Sequence, residues 1–179
     1  MHAPYEPPSS WLIRHAPLIR PGGTVLDLAC GSGRNARWLA KQGWGVEAVD
    51  RDEVVIAGLQ QIAGLHAFQA DLENAPWPFA GWAFDGIVVC RYLHRPLLPL
   101  LAESLATSGV LIYETFMLGQ EKFGRPQNPD FLLKPNELLD VFAGRLAINA
   151  FEQGVVELPK PMVTQRICAI RGNPGRLMP

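Results

Sequence analysis

Two hydrophobic periods alternate along the chain. Short β-rich apolar runs ending in turn residues occur at TVLDLA (24–29), VEAVD (46–50), FDGIVVC (84–90) and GVLIYETF (109–116), with a shorter one near HAFQA (66–70). Between them, RNARWLAKQ (34–42), EVVIAGLQQIA (53–63) and LLPLLAESLA (97–106) carry apolar residues at helical spacing. A further helix is predicted over PNELLDVFA (135–143), opened by Pro135 or Asn136. Strands alternating with helices in this way build a parallel sheet covered on both faces. The last two strand-like runs, RLAINAFEQGVVEL (145–158) and KPMVTQRICAIRG (160–172), are separated only by the turn-forming LPKP. No crossover helix fits there, so they are expected to pair antiparallel as a hairpin. The expected fold is α/β: a doubly wound sheet of seven strands, six parallel and the last antiparallel.

The remaining segments frame this sheet. Residues 1–8 are proline-rich and read as an extended arm, after which Ser9 or Ser10 caps a short helix through WLIRHAPLI (11–19). The connection MLGQEKFGRPQNPDFLLK (117–134) has little periodicity and is expected as a lid over the carboxyl edge of the sheet. At 179 residues, with 48% apolar and 18% charged side chains, the chain suits one globular domain with no separate substrate domain. Sixteen Lys and Arg against seventeen Asp and Glu leave a net charge of -1, with no positive field to gather nucleic acid. Cys30, Cys90 and Cys168 are odd in number and form no CxxC, which argues against a disulfide scaffold and against a zinc site. The opening MHAPYEPPSSW has no basic stretch followed by an apolar one, and no long uncharged apolar run follows, so a cytoplasmic protein without a membrane partner is expected.

The chemistry concentrates where the first strand ends. Gly31-Ser32-Gly33 closes that strand and opens a helix, which brings bare backbone against a ligand and aims helix amides at its polar end. Gly31, Gly33 and Ala36 also satisfy a dinucleotide-binding GxGxxA spacing. Asp27 separates the two readings. A carboxylate within an otherwise apolar buried strand is costly unless hydrogen-bonded; four residues before Gly31, it either ties the glycine loop or meets the ammonium of a bound amino acid. Asp50 ends the second strand, where a carboxylate can take both ribose hydroxyls. Asp71-Leu72 follows the third, placing an acid by an exocyclic amine and an apolar side chain on a purine face. Any one of these acids alone suits a turn or cap; three at successive strand ends form a more specific pattern.

VLDLACGSGRNARWLA, VEAVD, the ADLENAPWPF turn, FDGIVVC and GVLIYETF resemble the successive motifs of class I S-adenosylmethionine-dependent methyltransferases, over roughly residues 24–116. The resemblance implies a Rossmann-like fold whose antiparallel seventh strand matches the terminal hairpin. GSGRNARWLA followed by GVEAVD further resembles the small tellurite-resistance-type methyltransferases, chiefly through Arg34 and Asn35. It implies that Asp27, Ala29 and the loop Gly31, Ser32 and Gly33, with Arg34 and Asn35, hold the methionine part of S-adenosylmethionine. By the same likeness Asp50 takes the ribose, Asp71 and Leu72 the adenine, Arg51 its other face, and Cys90 lines the cofactor. Where enzymes that methylate DNA or glutamine amines carry an NPPY-like motif, this chain reads CRYLHRP, which argues against flipping and methylating a base amine.

The acceptor is expected at the carboxyl ends of the fourth and fifth strands, between CRYLHR and the 117–134 connection. Tyr92, Phe116 and Phe123 would supply apolar walls, and Arg91, His94 and Arg125 hydrogen-bond donors, which suits a partly anionic small molecule such as an oxyanion. His94 is the candidate general base, its unperturbed pKa of about 6.5 suiting proton removal near neutrality; it can equally be a cap residue. Two rivals stand beside the methyltransferase: a non-catalytic module that binds S-adenosylmethionine, and a short NAD(P)-dependent oxidoreductase, which lacks a Tyr-x-x-x-Lys-like pair. An open acceptor cavity favours an enzyme, and a site plugged by 117–134 favours a module.

Overall fold

The computed structural model describes residues 6–157 and 160–172; residues 1–5 of the expected arm and 158–159 of the LPKP turn lie outside the described residues. Ser9 caps the first helix, α1 (Ser10–His15), its hydroxyl accepting from the Leu12 amide at 3.2 Å. There follow β1 (Thr24–Leu28), α2 (Arg34–Lys41), β2 (Gly45–Asp50), α3 (Glu53–Ala57), β3 (Leu65–Gln69), β4 (Phe84–Cys90), α4 (Leu98–Glu103), β5 (Leu105–Phe116), α5 (Glu137–Phe142), β6 (Ala147–Val156) and β7 (Met162–Ile170). The strands form one sheet in the order β3-β2-β1-β4-β5-β7-β6. The first five pair parallel, while β7 runs antiparallel to both β5 and β6. The expected terminal hairpin and the single reversed strand are therefore both present.

Alternation along each strand divides the core into two layers. One face joins Leu26, Leu28, Ile87, Leu111 and Ile167 to Leu98 and Leu101 of α4 and Leu138 and Phe142 of α5. The other joins Val25, Val88, Ile112 and Cys168 to Trp11 and Leu12 of α1, Leu39 of α2 and Ile56 of α3. Two predicted helices are shorter than their periodicity suggested. α3 stops at Ala57, and the chain turns so that buried Leu59 packs beneath the glycine loop. α4 ends at Glu103 because Leu105 already pairs with Phe84, which extends β5 backwards. Asn136 does open α5, but at φ 64 with no side-chain cap; its amide oxygen instead accepts from the Gln153 side chain of β6 at 2.7 Å.

The 117–134 connection, expected as a lid, is a tied-down wall. Met117 and Leu133 form a bridge, and the Leu133 amide donates to the Phe116 carbonyl at 3.0 Å. Buried Gln120 accepts from the Val163 amide and donates to the Arg125 carbonyl. Arg95 donates to the carbonyls of Asp130 and Leu132 and pairs with Glu137 at 2.6 Å, so it fastens the wall.

His15 lies at the heart of the α1 layer. It is 1% exposed, meets Trp11 edge-on with ring centroids 4.1 Å apart, and neither ring nitrogen has a hydrogen-bond partner. Burial first, then the Arg14 charge, hold its pKa below the ordinary 6.5. The unfolded chain therefore takes up a proton that the fold resists, so stability is full above the ordinary value and falls as pH drops below it. The thermal midpoint of the wild type is expected to drop further from about pH 7.5 to about 5.5 than that of His15→Phe. Equal drops in the two proteins would show that His15 carries no such linkage.

Candidate functional site

Three left-handed residues within five shape the loop after β1: Ala29 at φ 52, Gly31 at φ 52 and Gly33 at φ 74. At Gly33 the requirement for glycine is double, since a Cβ there would come within 2.4 Å of a Leu59 methyl. At Gly31 a Cβ would meet nothing within 4 Å. The loop is held from β2: Asp50 Oδ2 accepts from the Gly31 amide at 2.8 Å, and Oδ1 from the Asp52 amide at 3.1 Å. Beneath it, Asp27 is 1% exposed and its Oδ2 has no partner. Burial pushes its carboxyl up to about 7, against the Ala36 amide and the Arg34 charge, which favour the ionised form.

A cavity of about 560 Å³ opens at the carboxyl ends of the strands, beside the point where β1 and β4 adjoin and the strand order reverses. Ala29, Asp50 and Arg51 form one wall, and Asp71, Leu72 and Glu73 after β3 the next. Arg91, Tyr92 and Leu93 after β4, with Thr115 and Phe116 of β5, close the other side, and Arg125, Pro126 and Phe131 come from the 117–134 wall. Asp71 also shapes its own turn, accepting from the Glu73 and Asn74 amides and the Asn74 side chain; that side-chain bond, then the amides, holds its carboxyl below the ordinary range. The Tyr92 hydroxyl is buried without a partner, and burial, reinforced by the Glu73 and Asp71 charges, raises its pKa. Tyr92 is thus a proton donor at neutral pH and not a base.

The fold brings together Ala29, Asp50, Arg51, Asp71, Leu72, Arg91, Tyr92 and Arg125 among the residues singled out in the sequence. Gly31, Ser32 and Gly33 form the loop beside them, with Asp27 under it. Arg34 instead lines a second cavity, of about 820 Å³, which shares Arg91, Thr115 and Phe116 with the first. Asn35 is buried and accepts from the Ser9 amide at 2.9 Å, anchoring the N-terminal arm. Cys90 receives a hydrogen bond from Arg34 at 3.1 Å and donates to Glu114 at 3.3 Å; burial, then the Glu114 charge, pushes its thiol up to about 12, which rules out a thiolate nucleophile at neutral pH. His94 corrects an expectation: it lines neither cavity, and its carbonyl closes a turn with the Leu97 amide, as a cap residue does. Phe123 is likewise half exposed and outside both cavities.

Sequence reasoning missed a charged row across the sheet. Cys90, Glu114, Arg166 and Glu152 stand at matched register on β4, β5, β7 and β6, with Arg166 at 3.2 Å from Glu114 and 3.9 Å from Glu152. Its signal was present as single charges inside otherwise apolar strands, but matching them needs the register. Among the described residues, no group of three or more His, Cys, Asp or Glu is placed to hold a metal ion, and no helix is long and apolar enough to cross a membrane.

The strand order is that of an α/β methyltransferase-like fold, shared with the solved structures below. Residues 25–107 match the family described as a methyltransferase domain. The protein YqeM of Bacillus subtilis (strain 168) is 31% identical over 91 residues, covering 50% of this chain; the chain spans only 36% of that relative. Among solved structures, TehB from Haemophilus influenzae matches with a TM-score of 0.71 at 21% identity, over 90% of this chain and 61% of that one. The 1,6-didemethyltoxoflavin-N1-methyltransferase of Burkholderia thailandensis, solved with 1,6-didemethyltoxoflavin and S-adenosylhomocysteine, matches with a TM-score of 0.67 at 20% identity, over 91% of this chain and 76% of that one. The resemblance read from the motifs is thereby borne out as a fold.

The two glycines make separable demands. Gly33→Ala is expected to cost roughly 2–4 kcal/mol in urea unfolding, from left-handed strain plus the Leu59 clash. Gly31→Ala should lose about 1–2 kcal/mol, from strain alone. Equal losses would contradict the placement of Leu59 beneath the loop.

Proposed function

We propose that this chain binds S-adenosylmethionine in the 560 Å³ cavity and transfers its methyl group to a small-molecule acceptor. One observation carries the reading: a buried carboxylate, Asp27, with an unpartnered oxygen under a left-handed glycine loop. An isolated polar atom in such a place costs about 1–3 kcal/mol unless something satisfies it, and an amino acid's ammonium matches its charge. Asp27 with Gly31–Gly33 would hold the methionine part, Asp50 the ribose, Asp71 and Leu72 the adenine edge and face, and Arg51 the opposite face. Ala29 completes the cradle.

When bound, the cofactor supplies a sulfonium methyl, so the acceptor lone pair bonds to that carbon while the carbon–sulfur pair goes to sulfur, and any acceptor proton leaves to water. The chain's task is then alignment and exclusion of water. Arg91 and Arg125 orient an anionic group of the acceptor, the protonated Tyr92 donates a hydrogen bond, and Phe116 and Phe131 give apolar walls. A small-molecule acceptor agrees with the open space: the 117–134 wall borders the first cavity without filling it, and a second cavity adjoins at Arg91. That opening favours an enzyme over a non-catalytic binding module. The toxoflavin-precursor methyltransferase shows the same fold serving a small acceptor.

S-adenosylmethionine and S-adenosylhomocysteine are expected to raise the thermal midpoint, while NAD and NADP leave it unchanged. Calorimetry on Asp50→Ala should find affinity for S-adenosylhomocysteine lowered by about 1.5–3 kcal/mol, since a charge-assisted bond to the ribose and the tie to Gly31 are both lost. Stabilisation by NAD alone, or unchanged affinity in Asp50→Ala, would overturn this reading.

A further inference from the structure

The second cavity, about 820 Å³, lies between the N-terminal arm (Glu6 to Ser10), Arg34 at the start of α2, Arg91 after β4 and the ends of β5 and β7. Its floor is electrically settled: Glu114 is held at 3.2 Å by Arg166 and accepts from Cys90. The guanidiniums of Arg34 and Arg91 are different. Arg34 is 12% exposed, its Nη2 on the Cys90 sulfur and its Nη1 on the Pro7 carbonyl, and neither partner carries a full negative charge. The carboxylate that faces both arginines is Glu6, whose Oε2 lies 3.1 Å from Arg91 Nη1 and 3.6 Å from Arg34 Nη1. Glu6 is itself 61% exposed, so its grip is that of a weak, solvent-screened pair. A cationic seat walled on one side by arginine from the glycine-loop helix is thus filled by a carboxylate that is easily displaced.

The position of that seat gives it meaning. Arg91, Thr115 and Phe116 border both cavities, so the seat lies where an acceptor meets the cofactor site. Resting on the proposed function, we propose that Glu6 is an internal stand-in for the acceptor's carboxylate: the acceptor is a small organic acid whose carboxylate displaces Glu6 from Arg91 and Arg34 and whose apolar body lies against Phe116, Met162 and Pro8. A planar carboxylate bridging two guanidiniums is the recognition the geometry already displays. A space of 820 Å³ is far larger than an inorganic oxyanion needs, which selects an organic body behind the charge.

The test uses benzoate as probe, benzamide as its neutral counterpart and selenite as an inorganic oxyanion, each titrated into the full chain saturated with S-adenosylhomocysteine. Benzoate is expected to bind Glu6→Gln roughly two- to fivefold more tightly than wild type, the size of an exposed ion pair removed from competition. Benzamide should bind both equally weakly, and Arg91→Gln should abolish the gain from Glu6→Gln. Affinity for S-adenosylhomocysteine should be the same in wild type and Glu6→Gln. Benzoate binding that is absent, or equal in wild type and Glu6→Gln, overturns the stand-in, as does selenite binding more tightly than benzoate. Failure of wild type to bind S-adenosylhomocysteine at all would instead overturn the methyltransferase reading.

Discussion

A buried carboxylate with one unpartnered oxygen, in an inner strand, organises this molecule. Asp27 is 1% exposed, and burial, outweighing the Ala36 amide and the Arg34 charge, raises its carboxyl to about 7. The sheet around it is otherwise apolar: its neighbours Leu26 and Leu28 are fully buried on the opposite layer. A fold that needed only packing would place an aliphatic side chain here. Retaining an acid makes energetic sense when a cation arrives to share the site, because the cost of the buried charge is then offset on binding.

Around that group, each further feature fixes the geometry of one neighbour. Asp50 reaches from β2 to the Gly31 amide, so the loop over Asp27 is held by the residue that also faces the cavity. Tyr113 donates to the Tyr92 carbonyl at 2.8 Å, which steadies the turn that begins with left-handed Arg91. In the row Cys90, Glu114, Arg166 and Glu152 one guanidinium serves two carboxylates, Glu152 pairing also with Arg14, while Arg34 and Arg91 line the second cavity beside it. On the proposed function donor and acceptor are separated by chemistry: Asp27, Asp50 and Asp71 stand at the ends of the first three strands, and Arg91 after the fourth.

The features that were legible in the sequence are those whose signals are local. TVLDLACGSGR shows a strand, an embedded acid and a glycine turn within a dozen residues, and Asp50 and Asp71 each end a recognisable strand. The terminal hairpin followed from a connection too short for a helix. Helix ends were not legible, because the periodicity of 97–106 continues past Glu103 while pairing with Phe84 claims Leu105 for β5. His94 was misplaced because adjacency to a strand end does not fix which way a side chain faces. Glu114 with Arg166 needed sheet register, and Glu6 with Arg91 joins residues 85 apart; neither has a local mark.

Ionisation of Asp27 on ligand binding is the most direct consequence of this arrangement. Near pH 7 the free protein holds Asp27 partly protonated, and an ammonium placed beside it lowers its pKa, so binding must expel part of a proton. Titration calorimetry of S-adenosylhomocysteine at about pH 7 in buffers of different ionisation enthalpy measures this, and the apparent binding enthalpy is expected to report release of about half a proton. The dependence should vanish at about pH 8.5, where Asp27 is already ionised, and in Asp27→Asn. An enthalpy independent of buffer at pH 7, or a dependence that survives in Asp27→Asn, would show that Asp27 does not receive the ligand's charge.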